Sequence, residues 1–238
     1  MCIRDRHDGS LVAYSFGDVV QAFDATTGDL LWGYQRALDG GASHDSKKGA
    51  AIYADKIIIP TSDMHLIALD MKTGQVVWDH DVDIGDEDGH LFKSAPLIAN
   101  GKAIIGLSGY EAVEGGNFIL AVDLETGEEV WRFYTIARPD QPGGDTWNGL
   151  PLDERTGGSV WIPGSFDAEL NLVFFGPAPT YDTERLRQGS GERDKNNDAL
   201  YTYSTVALEA DTGELVWYYQ HLPGETNDMD AGLSLIHI

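Results

Sequence analysis

Cysteine is almost absent from this chain: Cys2 stands alone among 238 residues. That excludes an intrachain disulfide and a thiolate metal site. Basic residues are scarce as well, with 16 Lys plus Arg against 39 Asp plus Glu and a formal net charge of −23. A polyanion repels nucleic acid and acidic lipid surfaces, so neither is expected as a partner. No apolar run approaches the roughly 20 residues of a membrane helix, so no membrane insertion is expected. There is no basic start, apolar middle and small-residue cleavage site of a secretory leader either, which in a chain cut at its start carries no information about compartment. HExxH, GxSxG and Walker-type motifs are missing, and the 7 His contain no i,i+4 pair. Those absences remove the commonest zinc, nucleophilic-elbow and nucleotide sites.

What is present is a turn-rich globular composition: 42% hydrophobic residues, 28 Gly, 6 Trp and 10 Tyr. One pattern recurs, Ala-x-Asp/Glu-x-x-Thr-Gly-x-x-x-Trp, at Ala22–Trp32, Ala68–Trp78, Ala121–Trp131 and Ala207–Trp217. Alternating apolar residues on both sides of Thr-Gly read as two short strands. The Asp-x-x-Thr-Gly between them reads as a hairpin loop, with Asp and Thr satisfying turn amides and Gly taking a positive φ. The Trp is expected to bury its ring where one sheet packs on the next. The interval from Trp131 to Trp217 is nearly twice the first, and SFDAELNLVFFG (Ser165–Gly176) reads as a degenerate copy between them. A period of about 45 residues with four strands per unit is a propeller blade. The expected fold is therefore an all-β propeller of about five blades, with 187–198 as a surface loop. Residues 1–6 and 233–238 look like translated sequencing-adapter read-through, which leaves 7–232 as the natural domain, cut at both ends.

Three further segments carry chemistry-bearing residues. Ser108-Gly109-Tyr110-Glu111 follows the apolar run Ala103–Leu107, and a Glu just past a strand end at a ring's channel can ligate a hard cation. By itself such a Glu is a solvated loop carboxylate. Gly157-Gly158-Ser159-Val160-Trp161 pairs glycines, which admit close backbone approach, with a Trp outside the repeat pattern. Glu225–Asp230 is an acidic loop in which Asp228 and Asp230 can converge on one ion or form a solvated turn.

Together with the Trp repeats, these segments resemble the PQQ-dependent (quinoprotein) alcohol dehydrogenases over nearly everything from Val19 to Asp230. The resemblance implies an eight-bladed ring, of which this chain is a part. It implies that Ser108 and Gly109 lie against the quinone PQQ, that Trp161 forms the flat floor beneath it, and that Glu111 binds the metal. It also implies Asp228 as catalytic base and metal-loop residue, and Asp230 as the extra carboxylate of the lanthanide-using branch, the ion being Ca²⁺ or a lanthanide. The implied reaction oxidises a small alcohol to a carbonyl compound, with electrons passed to a cytochrome c-type acceptor in the bacterial periplasm. The isolated piece is expected to be inactive.

Departures from the family pattern are specific. The vicinal cysteines are replaced within 42–49, and Lys48 stands where a cofactor-binding Arg is expected; it can neutralise an anion but not grip it in bidentate fashion. Lys93 stands in place of a Thr. Pro179 occupies the position of a metal-ligand Asn, with Thr180 or Asp182 as possible substitutes. These departures are what a non-catalytic propeller would show, acting as a protein-binding scaffold in the bacterial envelope. The three-part constellation is what a dehydrogenase would show.

Overall fold

Each copy of the Trp repeat closes the third and fourth strands of one four-stranded antiparallel sheet. The computed structural model describes residues 3–7 (main chain only), 9–38, 49–85, 89–109, 115–180, 186 and 196–227. The first sheet holds β1 (Ile3–His7), β2 (Ser10–Ser15), β3 (Val19–Asp24) and β4 (Leu30–Gln35). The second holds β5 (Ala51–Tyr53), β6 (Lys56–Pro60), β7 (His65–Asp70) and β8 (Val76–Asp81). The third holds β9 (Leu97–Ala99), β10 (Lys102–Gly106), β11 (Phe118–Asp123) and β12 (Glu129–Tyr134). The fourth holds β13 (Ser165–Asp167), β14 (Leu172–Phe175), β15 (Ser204–Glu209) and β16 (Leu215–Gln220). In every sheet the strands pair in chain order, so each is a simple meander. The short first strands converge, with β9 beside both β5 and β13. This is the all-β propeller architecture expected from the repeats, as an open array.

The backbone of β1 pairs with β2 from Ile3↔Tyr14 to His7↔Ser10, although most of that segment reads as a foreign flank. Ladder bonds come from the main chain and make little demand on side-chain identity.

The hairpin chemistry is as the sequence implies. Asp24 accepts the amides of Thr26 and Thr27, Asp70 those of Lys72 and Thr73, and Asp123 those of Glu125 and Thr126. Glu209 does the same for Asp211 and Thr212. A register shift recurs at the same place in each sheet, at Ala22/Phe23, Ala68/Leu69, Ala121/Val122 and Ala207/Leu208.

The sheets are joined by indoles. Trp32 donates its Nε1–H to the Met71 carbonyl at 2.9 Å, Trp78 to Leu124 at 3.0 Å and Trp131 to Ala210 at 3.0 Å. Each ring lies on the turn glycine of the following sheet. A Cβ on Gly74 would meet Trp32 at 2.4 Å, one on Gly127 would meet Trp78 at 2.8 Å, and one on Gly213 would meet Trp131 at 2.5 Å. The glycine is therefore required by the incoming ring as well as by its positive φ. The three docked tryptophans are 9%, 8% and 7% exposed, whereas Trp217, with no sheet beyond it among the described residues, is 44% exposed.

One expectation is corrected. Ser165–Gly176 is not a blade of its own: β14 pairs with β15 from Leu172↔Glu209 to Phe175↔Val206, so this segment supplies the first half of the fourth sheet. The described residues hold four sheets where about five were expected. The reason is visible in the turn. Asp167 caps the amides of Glu169 and Leu170, but no Thr-Gly or docking Trp follows. The long Trp131–Trp217 interval is instead taken up by an insert between β12 and β13 and a connection between β14 and β15. In the insert, buried Arg155 donates from Nε to Leu150 O, from Nη1 to Ala137 O and from Nη2 to Gly144 O. Buried Trp147 binds Leu200 O at 2.7 Å and ties the insert to the later connection.

Two expectations follow. Trp78→Ala should lower the unfolding free energy by about 3–5 kcal/mol, as for other buried tryptophans. Exposed Leu30→Ala should change it by less than about 0.5 kcal/mol; urea denaturation measures both. Turn amides hold Asp24 and Asp123 below the usual carboxylate range, and the Thr73 hydroxyl together with the turn amides does the same for Asp70. A depressed folded pKa gives stability that is present above the unfolded value of about 3.9 and lost as pH falls below it. Asp70→Asn should therefore make the acid limb of an unfolding-midpoint-versus-pH curve shallower.

Candidate functional site

At Gly106, the last residue of β10, the Val160 side chain comes too close for another side chain: a Cβ there would meet Val160 Cγ1 at 2.2 Å. Beyond it, Leu107 accepts the Val160 amide at 2.8 Å. Ser108 pairs with Leu91 in a two-residue bridge. Gly109 offers its amide to Ser159 Oγ at 3.3 Å, and its carbonyl accepts the Ser159 hydroxyl at 2.5 Å. The segment Gly157–Trp161 thus runs alongside Leu107–Gly109.

Its other side is equally engaged. Ala178 donates its amide to Ser159 O at 2.8 Å, and Gly158 donates to Pro179 O at 3.3 Å. Thr135 Oγ1 donates to Gly158 O at 2.7 Å, and Asn117 Nδ2 to Gly157 O at 2.9 Å. A Cβ on Gly157 would strike Thr180 Cα at 2.5 Å and Pro179 O at 2.6 Å, and one on Gly158 would strike Thr135 Oγ1 at 2.5 Å. The paired glycines are needed because the Pro179–Thr180 backbone passes against Gly157 and the Thr135 side chain against Gly158. Three motif segments far apart in sequence therefore lie side by side across the seam between the third and fourth sheets.

Two buried hydroxyls at this seam, Ser108 Oγ and Thr180 Oγ1, have no hydrogen-bond partner among the described residues. Ser94 Oγ, three residues past Leu91, and Thr156 Oγ1, beside Gly157, are two more. A buried polar group left unmade costs about 1–3 kcal/mol, so such groups mark places where another molecule or chain segment makes contact. Trp161 is part-buried.

Of the residues singled out in the sequence, the structure brings Ser108 and Gly109 together with the Gly157–Trp161 segment. Lys48, Glu111, Asp228, Asp230 and Asp182 lie outside the described residues. Sequence reasoning missed Ser159, whose hydroxyl ties the Gly-Gly segment to Gly109, and Asn117, which holds Gly157. A hydroxyl two residues before Trp161 was the available signal for the first; the second had none.

PQQ is a planar quinone bearing carboxylates, so it needs hydrogen-bond donors at its edge and a flat apolar face. The hydroxyls of Ser108 and Thr180, which have no partner among the described residues, and the part-buried Trp161 fit those needs. The metal is different. No group of three His, Cys, Asp or Glu comes together among the described residues. Pro179 has no side-chain oxygen, and its carbonyl already accepts the Gly158 amide. Thr180 Oγ1, on the next residue, is the free oxygen nearest in sequence.

A separate hollow of about 290 Å³ lies between the second and third sheets, lined in part by Asp83, His90, Phe118, Arg132, Tyr134 and Arg138. Its cations have partners: Arg132 grips Glu129 with two bonds and lies 4.0 Å over Phe118, and Arg138 lies 3.7 Å over Tyr134 while donating to Gly115 O. Burial pushes the His90 imidazole down in pKa.

Four-stranded meanders joined by docked indoles define the class: a tryptophan-docked β-propeller. Comparison with known proteins agrees. Residues 6–234 match the sequence profile of the PQQ family, described as the glucose/ethanol/alcohol dehydrogenase β-propeller domain. The chain is 35% identical to quinohemoprotein alcohol dehydrogenase ADH-IIG of Pseudomonas putida, over 96% of this chain and 33% of that protein. It is 33% identical to the dehydrogenase subunit of the quinone alcohol dehydrogenase of Gluconacetobacter polyoxogenes, over 94% of this chain and 33% of that one. The solved structure of ADH-IIG superposes with a TM-score of 0.81 at 33% identity, covering 94% of this chain and 34% of that chain. A europium-containing methanol dehydrogenase, at 24% identity and a TM-score of 0.72, shares the fold over 94% of this chain and 43% of its own. The chain belongs to the PQQ-dependent alcohol dehydrogenase family. It spans about a third of the length of the two alcohol dehydrogenase relatives. No helix among the described residues is long and apolar enough to cross a membrane.

Gly157→Ala should cost more than about 2 kcal/mol, because it adds a backbone collision to the strain of a positive φ. Gly149→Ala has a positive φ but open space, and should cost about 1–2 kcal/mol. A difference between the two urea midpoints measures the close approach alone.

Proposed function

We propose that this chain contributes the cofactor floor and edge of an enzyme that oxidises a small alcohol to a carbonyl compound. The observation that carries the reading is the seam itself: Ser108–Gly109, Gly157–Trp161 and Pro179–Thr180 side by side, with two buried hydroxyls lacking partners. PQQ, when bound, supplies the acceptor for the two electrons and the hydrogen lost from the alcohol carbon.

The residues divide the remaining work. Trp161 supports one face of the cofactor and excludes water from it. Ser108 Oγ and Thr180 Oγ1 donate to acceptor oxygens at its edge, and the Gly109 backbone allows close approach. Lys48 neutralises an anionic or quinone oxygen as a point charge. Asp228 takes the hydroxyl proton of the alcohol as general base. Glu111, Asp228 and Asp230 hold the cation, Ca²⁺ or a lanthanide, with three carboxylates favouring high charge. Thr180 is the candidate for the oxygen that Pro179 cannot offer. A cytochrome c-type protein receives the electrons, and the periplasm is the compartment of such enzymes. Residues 7–232 form the native part of the propeller in this reading, with 1–6 and 233–238 as foreign flanks.

The test is dye-linked oxidation of a primary alcohol by the chain extended to the full length of its relatives and loaded with PQQ and Ca²⁺ or La³⁺. Asp228→Asn should lower kcat by about 10²-fold or more. Ser108→Ala and Thr180→Val should each weaken PQQ binding by roughly tenfold, equivalent to about one hydrogen bond. Absence of PQQ binding with both metals would instead support the scaffold reading, with Pro179 and Lys48 as its cause.

A further inference from the structure

Asn117 is wholly buried, and its neighbours Gly116 and Phe118 both line the hollow between the second and third sheets. Its side chain serves the seam instead. Nδ2 donates to Gly157 O at 2.9 Å and lies 3.5 Å from Ser159 Oγ. Its main chain is fixed as well, because Asn117 O accepts the Thr135 amide at 3.0 Å. One residue therefore stands between the hollow and the Gly157–Trp161 segment.

A side-chain amide has two unlike ends, a donor and an acceptor. With Nδ2 committed to Gly157 O, Oδ1 needs a donor, and among the described residues it has none. The Asn117 side chain is the polar neighbour of the His90 ring, whose Nδ1 is also buried and without a partner among the described residues. His90 is 7% exposed and Asn117 not at all, so bulk water cannot serve either atom. An acceptor and a ring nitrogen able to donate, adjacent and both unmatched, complete each other directly or through one buried water. That match places the ring proton on Nδ1. His90 is held in turn by its surroundings. Its ring centre lies 5.7 Å from that of Phe118, and Leu91 beside it exchanges both main-chain hydrogen bonds with Ser108.

We infer that His90 and Asn117 are positioning residues for the cofactor floor: His90 orients the Asn117 amide, and the amide holds the Gly157–Trp161 segment in place against Ser108–Gly109. The inference rests on the reading of the seam as the PQQ site. Turned over, the amide would set Oδ1 against Gly157 O, acceptor against acceptor, and the segment would lose its hold on that side. Because His90 is joined through Leu91 to Ser108, and Asn117 to Gly157, the pair spaces the edge hydroxyl from the floor.

Three variants of the chain extended to the full length of its relatives test this. Asn117→Leu removes both ends of the amide and keeps its bulk. His90→Phe keeps a ring and removes the donor. His90→Asn returns an N–H near the place of Nδ1. Each is loaded with Ca²⁺ or La³⁺ and titrated with PQQ, and the absorption band of the bound quinone is recorded. Asn117→Leu and His90→Phe should weaken PQQ binding by roughly tenfold, equivalent to about one hydrogen bond, and should shift the band. His90→Asn should restore both, which a ring acting only as packing would not explain. Hydrogen exchange over 157–161, measured without PQQ, should quicken in the first two variants and return to the parent's rate in the third. Unchanged PQQ affinity in Asn117→Leu, or a His90→Asn no better than His90→Phe, overturns the inference, even where Ser108→Ala weakens PQQ binding as the proposed function requires. Failure of the parent itself to bind PQQ refutes the proposed function, and the inference about its floor falls with it; exchange over 157–161 that stays at the parent's rate in Asn117→Leu overturns the hold on the segment whether or not PQQ binds.

Discussion

The indole-on-glycine contact is the constraint on which the rest of this molecule depends. Each four-stranded meander has two faces, and neither can be left to water over its full area. The ring of Trp32, Trp78 or Trp131 closes one face against the next sheet and fixes the distance between them through a single hydrogen bond. Because the ring must rest on a main chain without a Cβ, the turn glycine and the tryptophan define each other. The repeat is thus a lock divided between neighbouring sheets, not a property of one sheet.

The candidate site exists because the sheets are held at that spacing. Ser159 reaches from the Gly157–Trp161 segment to Gly109, and Gly158 reaches to Pro179, so the segment is a slat bridging two blades. The donors left over, on Ser108 and Thr180, are buried at the edge of that slat. A cofactor with many acceptor oxygens would complete what the protein leaves unfinished. The hollow beside Arg132 and Arg138 is the opposite case, since both guanidiniums are stacked on rings and hydrogen-bonded within the protein.

Much of this was legible from residue order. Alternating apolar residues on either side of Asp-x-x-Thr-Gly gave strand, turn and strand, because a hairpin's register is a local matter of turn chemistry and side-chain period. The docking role of the Trp was legible for the same reason. The number of sheets was not. The Ser165–Gly176 hairpin resembles the start of a repeat, and only long-range pairing of β14 with β15 shows that it belongs with Trp217. The second duty of the turn glycine also lay beyond sequence, since it depends on a ring from another blade. At the site, the Gly-Gly-x-x-Trp segment was legible as a place of close approach, whereas Asn117, which holds it, carries no motif.

Arg155 gives the insert of the fourth blade a different kind of strength from its surroundings. It binds three carbonyls in three directions, so one planar cation takes the place of a strand ladder. Burial pushes its pKa down, yet a guanidinium begins so high that it keeps its charge at any physiological pH. A lysine's single ammonium could not span the same three acceptors. The contour of the insert is therefore encoded at one position and insensitive to acidity, while the repeats around it encode shape many times over. Drift in the blades can be absorbed by neighbouring copies; drift at this one codon has no second copy to absorb it.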